Sequence, residues 1–341
     1  MLNTVYRLTS PKFFEEVFVE VKDLEDKVVI KPTYLSICKA DQRYFQGKRA
    51  AHILNKKLPM SLIHEAVGEV VYDPTGTFNT NDKVVMIPNT PVEEDEIIAE
   101  NYLRSSGFKS SGMDGFLSDY VFLNPDRVVK LPDDIDLKVA SFIELVTVSY
   151  HAIQRFRKFS HERKNRIGVW GNGNVGYITS LLLNVMMPES EIIVFGTTAE
   201  KLSYFSFADE RYMVDEIPED INIDHGFECV GGNNSQEAIN QIIDIINPQG
   251  TIALLGVSEQ NVGINTRMVL EKGLVLFGSS RSGRDDFENT LKLIEENPKI
   301  ISYLENLISH SFNIEELKDL NAAFEQDNNS KFGKTVLKLN I

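Results

Sequence analysis

Cysteine is scarce in this sequence: Cys38 and Cys229 are the two thiols among 341 residues. Two cysteines cannot supply the disulfide framework that stabilises small secreted proteins, and such scarcity is typical of a reducing cytosol. No apolar run is long enough to span a bilayer, and the N-terminal residues lack the apolar core of a signal peptide. We therefore expect a cytoplasmic protein with no membrane as its partner.

Positive charge is also in short supply. The 35 Lys and Arg residues face 50 Asp and Glu residues, which gives a formal net charge of −15. Such a surface repels nucleic acid and anionic membranes, so we expect neither as a partner, and an anionic substrate would need a local basic pocket. At 341 residues the chain is also long for a single hydrophobic core, so we expect two domains.

The first segment, residues 1–148, has the pattern of a β domain. Alternating or β-branched runs predict strands at 14–21, 28–35, 62–72, 83–87 and 115–123. The turn-rich stretch DPTGTFNTND separates two of these strands, and the whole pattern favours a partly closed barrel. An acidic stretch that becomes apolar, at 133–148, predicts a helix.

Four residues of this segment have the chemistry of a metal site. Cys38 lies where a strand gives way to a helix or loop, and His64 precedes Glu65 in SLIHEAVGEVV. Cys, His and a carboxylate suit a zinc site with one open position, with Glu65 either a ligand or a support behind the ligands. Glu144 lies in an apolar helical run, where an ionised carboxylate is costly unless a cation is near. The alternative is that all four are ordinary core or helix-edge residues.

The middle segment, residues 149–275, has the pattern of a nucleotide-binding domain. A short strand, RIGVW, is followed by GNGNVG and by a predicted helix at 177–187. Gly171, Gly173 and Gly176 thus have the G-x-G-x-x-G spacing in the strand–turn–helix context that dinucleotide binding requires. Further predicted strands at 191–195, 226–230 and 251–256 and a helix at 235–246 indicate a doubly wound parallel sheet.

The second strand of this segment predicts the choice of cofactor. An NAD-binding domain usually places an acidic residue at the end of that strand to hold the ribose hydroxyls. Here the strand ends in Gly196, Thr197 and Thr198, with Lys201 three residues further on. Hydroxyls and a cation without a carboxylate suit a 2′-phosphate, so we expect NADP rather than NAD. The alternative for Lys201 is a solvated helix residue.

The last segment, residues 276–341, returns to the first domain. We predict a strand at 274–278, helices at 285–296 and 314–325, and a closing strand at 334–339. The closing strand resembles the β material of the first segment, so we expect 276–341 to complete the domain formed by 1–148, with 149–275 as the second domain. Arg281 and Arg284 form a basic pair that suits either a phosphate or the solvent.

The order of Cys38, His64-Glu65, Glu144 and the glycine motif resembles the zinc-dependent medium-chain alcohol and polyol dehydrogenases, over nearly the whole chain. More narrowly, SICKADQRYFQG, LPMSLIHEAVGEVV, FECVGGNNSQEAINQ and GSSRSGRDDF resemble the ribulose-5-phosphate reductases. The resemblance implies an α/β fold. It comprises a GroES-like β domain and a Rossmann domain with a doubly wound parallel sheet, and the active site lies in the cleft between them.

Residue by residue, the resemblance implies that Cys38, His64 and Glu144 are zinc ligands, with Glu65 a fourth ligand or a support. Lys39 matches a cation that faces the cofactor pyrophosphate. The lobe that carries a second, structural zinc in many relatives has no cysteine here, so we expect one catalytic zinc only. Ala40 replaces the usual Ser or Thr proton relay, which leaves Tyr44 or a zinc-bound water chain as candidates.

The function implied by the resemblance is NADPH-dependent reduction of ribulose 5-phosphate to D-ribitol 5-phosphate, a precursor of teichoic acid or capsule. We expect Arg43, Arg281 and Arg284 to bind the substrate phosphate. Relatives imply a homodimer or tetramer, and the cytidylyltransferase of the same pathway is a candidate partner. Two alternatives stay open: a polyol or alcohol dehydrogenase acting on an unphosphorylated sugar, and a zinc-free, cofactor-binding module.

Overall fold

The computed structural model describes residues 1–22 and 24–341, and their contacts divide the chain into two units. The first unit comprises Met1–Leu145 and Ser282–Ile341, and the second comprises Val146–Arg281. The second unit extends beyond the predicted range of 149–275 because the last strand of its sheet, Val275–Gly278, pairs in parallel with the strand Ile246–Leu254. The predicted boundary at 276 therefore divides that strand.

Strands dominate the first unit. In chain order they are β1 (Leu2–Ser10), β2 (Phe13–Glu20), β3 (Val28–Ser36), β4 (Met60–Ser61), β5 (Glu65–Tyr72), β6 (Lys83–Met86), β7 (Asn89–Thr90), β8 (Gly107–Phe108), β9 (Val121–Leu123) and β10 (Val128–Lys130). Two more strands come from the C-terminal part of the chain and are numbered below. The β strands enclose an apolar core in which Leu8, Ile30, Phe45 and Phe324 are fully buried.

The N-terminal part of this unit also contains helices. They are α1 (Lys39–Phe45), α2 (Ala51–Lys57), α3 (Leu137–Ala140) and the start of α4 (Ile143–Phe159), which continues in the second unit. The predicted single helix at 133–148 is therefore wrong. Asp136 begins α3 by accepting a hydrogen bond from the Lys138 amide, and α3 ends before α4 begins at Ile143. Glu144 accordingly lies in the first turn of α4 and not inside a longer helix.

The second unit is a six-stranded parallel sheet with helices between its strands. Its strands are β11 (Arg166–Trp170), β12 (Glu191–Gly196), β13 (Glu210–Met213), β14 (Ile223–Glu228), β15 (Ile246–Leu254) and β16 (Val275–Gly278). Its helices after α4 are α5 (Asn174–Met186), α6 (Ala199–Leu202), α7 (Ser235–Ile245) and α8 (Thr266–Lys272). The strand order β13-β12-β11-β14-β15-β16 is the doubly wound Rossmann order, as the sequence predicted.

The chain then returns to the first unit through α9 (Arg284–Glu296), α10 (Lys299–Glu305), β17 (Ile308–Ile314), α11 (Leu317–Asn329) and β18 (Lys334–Leu339). Strand β18 pairs antiparallel with β3 and parallel with β17, inside a seven-stranded sheet of order β10-β6-β5-β3-β18-β17 with β9 beside β3. The predicted strand at 334–339 is confirmed. Among the described residues, no helix combines the length and the apolar composition needed to cross a membrane.

Two predicted strands are shorter than expected, and both differences lie close to His64. The strand predicted at 62–72 begins only at Glu65, because Ile63 has a φ of +69°. The strand predicted at 115–123 is reduced to β9, because Gly115 and Phe116 donate their amides to the Ser61 and Ile63 carbonyls instead of forming a ladder. These irregular segments pack so closely that a Cβ on Gly115 would lie 2.3 Å from the Leu62 carbonyl oxygen.

Candidate active site

Three side chains with metal-binding atoms meet in the first unit. The ligand atoms of Cys38, His64 and Glu65 all lie within 4.8 Å of one another. His64 is 6% exposed and Glu65 is fully buried, whereas Cys38 is partly exposed and leaves the cluster open on its side. We call these three residues the metal cluster; among the described residues, no other group of this kind was found.

The local backbone holds the metal cluster in place. Cys38 is the residue before α1 and has extended dihedral angles, so its thiol projects from the start of the helix. Ile63, just before His64, is a β-branched residue at φ +69°, a conformation that costs roughly 1–3 kcal/mol and persists only where the surroundings impose it. Here the Ile63 amide donates to Asp41 Oδ1 at 3.0 Å, and the Phe116 amide donates to the Ile63 carbonyl at 2.8 Å.

Asp41 connects the elements that carry the ligands. Its fully buried carboxylate accepts hydrogen bonds from the Ser110 hydroxyl at 2.6 Å and from the Cys38 amide at 3.1 Å. It also lies 3.6 Å from His64 Nδ1. Burial raises the pKa of Asp41, but His64 and these hydrogen bonds outweigh burial and hold the pKa below its ordinary value. A carboxylate behind a histidine fixes the ring so that Nε2 is presented to a metal.

The pKa of His64 reflects its closeness to the Asp41 carboxylate and to Cys38. Burial alone lowers this pKa, but the charges of Asp41 and Cys38 raise it well above the ordinary value for histidine. The electrostatic surroundings of the ring therefore favour a positive charge. A bound dication satisfies that preference while the imidazole itself stays neutral.

Lys334, the first residue of β18, supports Glu65 from behind. Its Nζ donates to Glu65 Oε1 at 2.8 Å and to the Ile37 carbonyl at 2.9 Å, and it lies 2.7 Å from Glu65 Oε2. The ammonium group thus forms a buried ion pair with both carboxylate oxygens, although Oε2 accepts no hydrogen bond of good geometry. Glu65 is held beside Cys38 and His64, where its carboxylate can also bind a metal.

Glu144 lies near the metal cluster but outside the group of atoms that meet within 4.8 Å. Burial raises its pKa to about 7, with Glu65 and Asp41 adding to the rise and with His64 and Lys334 opposing it. The structure therefore brings together three of the four predicted metal ligands. Glu144 is a neighbouring, readily protonated carboxyl group.

The donor set fits zinc. A thiolate, an imidazole and a carboxylate are ligands that Zn²⁺ takes in catalytic sites with three protein ligands and one open position. A fully oxygen-based set would instead suit magnesium or calcium. The buried Glu65 carboxylate and the partly exposed Cys38 thiol agree with a metal held at its protein side and open on the other.

The glycine motif of the second unit has the geometry of a phosphate cradle. Gly171 has a φ of +122°, and a Cβ on Gly176 would lie 1.8 Å from the Gly171 carbonyl oxygen, so neither position accepts a side chain. Gly173 immediately precedes α5, and a Cβ there would meet nothing within 4 Å. The backbone is therefore open in front of the start of this 13-residue helix, the position at which dinucleotide-binding domains hold a pyrophosphate.

The residues predicted to select the cofactor follow β12. Thr197 is exposed, Thr198 immediately precedes α6, and Lys201 is partly exposed within α6. The side-chain amide of Asn172, in the glycine motif, donates to the Thr198 carbonyl at 3.2 Å and so connects the two loops. No carboxylate belongs to the chain from 196 to 199.

Several other predicted residues have different surroundings from those expected. Lys39 Nζ lies 3.7 Å from Asp327 Oδ2, so its charge already has an acidic neighbour. The guanidinium group of Arg284 donates to the Pro125 and Val128 carbonyls and pairs with Glu288. This guanidinium group therefore has partners within the protein, whereas the sequence left a phosphate or the solvent as its alternatives. Arg43 lies on α1, and Arg281 belongs to the second unit.

Sequence reasoning missed Asp41, Lys334 and Asn172. Asp41 follows Cys38 by three residues, the spacing of a residue that caps the start of a helix, and this signal could have identified it. Nothing in the sequence indicated that Lys334 is buried, because a lysine at the start of an apolar strand is normally expected to face the solvent. Its partner is 269 residues away in sequence, so only the fold reveals the pair.

An ion pair between Arg127 and Glu100 stabilises the 88–112 lobe, and this pair could not be predicted from the sequence. Arg127, 5% exposed, donates from Nη1 and Nη2 to Glu100 at 2.7 and 3.1 Å and from Nη1 to the Asn89 carbonyl at 3.3 Å. Strand β7 pairs with β8 in the same lobe. A bidentate, mostly buried ion pair thus fastens a segment that contains no cysteine.

Comparison with known proteins gives consistent matches along the chain. Residues 24–133 match the alcohol dehydrogenase GroES-like domain, and residues 191–296 match the zinc-binding dehydrogenase family. Ribulose-5-phosphate reductase 1 of Staphylococcus aureus is 56% identical, and the match covers 99% of each chain. Ribulose-5-phosphate reductase of Bacillus spizizenii is 52% identical over the full length of both. The crystal structure of S. aureus TarJ in complex with NADPH superposes with a TM-score of 0.90 at 52% identity, covering all of both chains.

Proposed function

The chain belongs to the ribulose-5-phosphate reductases of the zinc-binding alcohol dehydrogenase family, and on this basis we propose that it reduces D-ribulose 5-phosphate to D-ribitol 5-phosphate with NADPH. The observation that carries the proposal is the metal cluster, in which Cys38, His64 and Glu65 meet within 4.8 Å. A cofactor-binding module without zinc would not account for a thiol, an imidazole and a carboxylate that meet at one place.

In this proposal Cys38, His64 and Glu65 hold the zinc ion, and Glu144 lies beside it. When bound, zinc supplies a Lewis acid to the substrate carbonyl oxygen and NADPH supplies the hydride. Asp41 fixes the His64 ring and Lys334 fixes the Glu65 carboxylate, so the ligands need little rearrangement on binding. Glu144, with a pKa of about 7, can hold a proton at neutral pH close to the cluster.

The second unit binds the cofactor through two groups of residues. Gly171, Gly173 and Gly176 leave room for the pyrophosphate at the start of α5. Thr197, Thr198 and Lys201 bind the 2′-phosphate, because they offer hydroxyls and one cation where an NAD-binding domain has an acid. Lys39 remains a candidate for the pyrophosphate only if it leaves Asp327.

We also propose the wider setting, which rests on the family. The protein works in the cytoplasm as a homodimer or homotetramer. Its product passes to a cytidylyltransferase that makes the activated ribitol for teichoic acid or capsule. The free thiols Cys38 and Cys229 agree with a reducing compartment. Light scattering after gel filtration measures the assembly.

The test is a cofactor-oxidation assay on the purified, zinc-loaded protein. Ribulose 5-phosphate, unphosphorylated ribulose and xylulose 5-phosphate are compared as substrates, each with NADPH and with NADH. We expect turnover with ribulose 5-phosphate and NADPH, and ribitol 5-phosphate as the product by mass spectrometry. Faster turnover of an unphosphorylated sugar would instead establish the polyol dehydrogenase alternative.

A further inference from the structure

A basic cluster surrounds Tyr44 in the first unit, and it consists of Arg49, Lys57 and Ser111. The guanidinium carbon of Arg49 lies 5.1 Å from the centre of the Tyr44 ring, and Lys57 Nζ lies 5.8 Å from the same centre. Lys57 Nζ also donates to the Ser111 hydroxyl at 2.9 Å. Two cations thus gather at one ring in a chain whose net charge is −15.

An aromatic ring attracts a cation far less strongly than an anion does, so both cations can still bind an anionic ligand. In the described part of the chain, no carboxylate lies within salt-bridge distance, 4.0 Å, of Lys57 Nζ. An ammonium group, a guanidinium group and a hydroxyl are the donors that proteins use to bind phosphate. The basic cluster therefore has the composition of a phosphate subsite.

The basic cluster is also connected to the metal cluster by two routes. Tyr44 follows Cys38 by six residues along α1, which is a rise of roughly 9 Å, and helical side chains lean toward the N-terminal end that carries Cys38. The second route runs through the 110–111 segment. Ser110 donates to Asp41 at 2.6 Å, and Ser111 is the next residue.

We propose that Arg49 and Lys57 bind the phosphate group of the sugar-phosphate substrate whose carbonyl lies at the metal cluster; this rests on the proposed function. The carbonyl carbon and the phosphorus of ribulose 5-phosphate are separated by five bonds of about 1.5 Å, which gives roughly 6 Å end to end in an extended zigzag chain. This length is of the same order as the rise of roughly 9 Å along α1 between Cys38 and Tyr44. In this proposal Arg49 and Lys57 take the phosphate-binding role that was predicted for Arg284 from the sequence. The guanidinium group of Arg284 is already bound to two carbonyls and to Glu288.

The experiment measures KM and kcat of the zinc-loaded enzyme for ribulose 5-phosphate, with NADPH saturating. Arg49→Met and Lys57→Met are each expected to raise KM about 10- to 100-fold, the range for one charge-assisted contact, with kcat changed far less. Lys57→Arg keeps the charge and is expected to keep most of the affinity. Lys56→Met, on the exposed neighbour of Lys57, is the matched control and should match wild type.

Two further readouts separate a phosphate contact from a structural role. Unphosphorylated ribulose should have the same kcat/KM in wild type and in both variants. Inorganic phosphate should inhibit wild type in competition with ribulose 5-phosphate, and it should inhibit both variants more weakly. Melting temperature and zinc content, measured in parallel, identify a variant that has merely lost its fold.

The outcomes are distinct. Equal losses of kcat/KM for the phosphorylated and unphosphorylated sugars, or unchanged KM in both variants, would overturn the phosphate subsite while the proposed reaction stands. Inhibition by inorganic phosphate that is the same in wild type and variants would overturn it too. A wild-type enzyme that does not reduce ribulose 5-phosphate would refute the proposed function itself.

Discussion

Lys334→Met tests whether the buried lysine supports the metal cluster. Lys334 is 2% exposed and Glu65 is fully buried, so the substitution leaves a carboxylate without its cation inside the protein. It also removes the donor to the Ile37 carbonyl. Breaking a buried ion pair by removing one partner costs about 3–5 kcal/mol, because the remaining charge stays uncompensated. Methionine keeps most of the apolar stem, so packing changes little.

The pH of the measurement follows from the pKa of Lys334. Burial lowers this pKa, but Glu65 and Cys38 more than compensate and raise it above the ordinary 10.5. A lysine whose pKa is higher in the folded state contributes its full stabilisation below the unfolded pKa and loses it as the pH rises through the folded pKa. The pair therefore contributes fully at pH 7, where the comparison is made.

The assay is calorimetric melting of the chelator-treated protein, followed by the zinc-loaded protein. For a unit of this size, each kcal/mol lowers the melting temperature by about 2–4 °C, so we expect a fall of roughly 6–20 °C. Zinc should reverse part of the fall, because the metal neutralises Glu65 in place of the lysine. Lys338→Met, at an exposed position of the same strand β18, is the control and should melt like wild type.

The reasoning would be refuted if the metal-free Lys334→Met protein melted within about 2 °C of wild type. The double variant Lys334→Met with Glu65→Gln gives a second check. Replacing both charges removes the uncompensated carboxylate, so the double variant should be more stable than Lys334→Met alone. Simple additivity of the two single effects would show that the two side chains are not coupled.

Four further substitutions test the remaining assignments. Cys38→Ser should lose bound zinc and turnover, since a hydroxyl replaces the thiolate; normal zinc content by mass spectrometry would contradict the assignment. Gly176→Ala should abolish binding of both nicotinamide cofactors by fluorescence titration, because the added methyl group would lie 1.8 Å from the Gly171 carbonyl oxygen. Lys201→Ala should lower kcat/KM for NADPH about 10- to 100-fold and spare NADH. Thr197→Asp should shift the preference toward NADH, and equal losses for both cofactors would count against this site.

The sequence predicted those features that depend on local pattern. The parallel order of the second unit follows from strands and helices that alternate, and the glycine motif is defined by spacing alone. The metal cluster could be proposed because a thiol, an imidazole and a carboxylate together suit zinc and because their order along the chain resembles a known family.

Contacts between residues distant in sequence, and the backbone strain they impose, could not be predicted from the sequence. The positive φ of Ile63 cannot be read from an apolar, β-branched residue, because the carboxylate of Asp41 imposes it from 22 residues away. The loss of most of the strand predicted at 115–123 has the same origin, since Gly115 packs against Leu62 instead of extending a ladder. Helix α4 was misplaced for a local reason: α3 ends before residue 143, although the apolar residues continue without a break.

The charges of the metal cluster account for the position of Lys334. Asp41, Glu65 and Glu144 are each no more than 4% exposed, and the cluster contains a thiol as well. Burying that many potential anions together is costly unless cations lie among them. Lys334 compensates Glu65 directly, whereas Glu144 has a pKa of about 7 and so stays partly protonated at neutral pH. Lys334 alone does not balance the remaining acidic groups, so the cluster favours a bound dication beside Glu65.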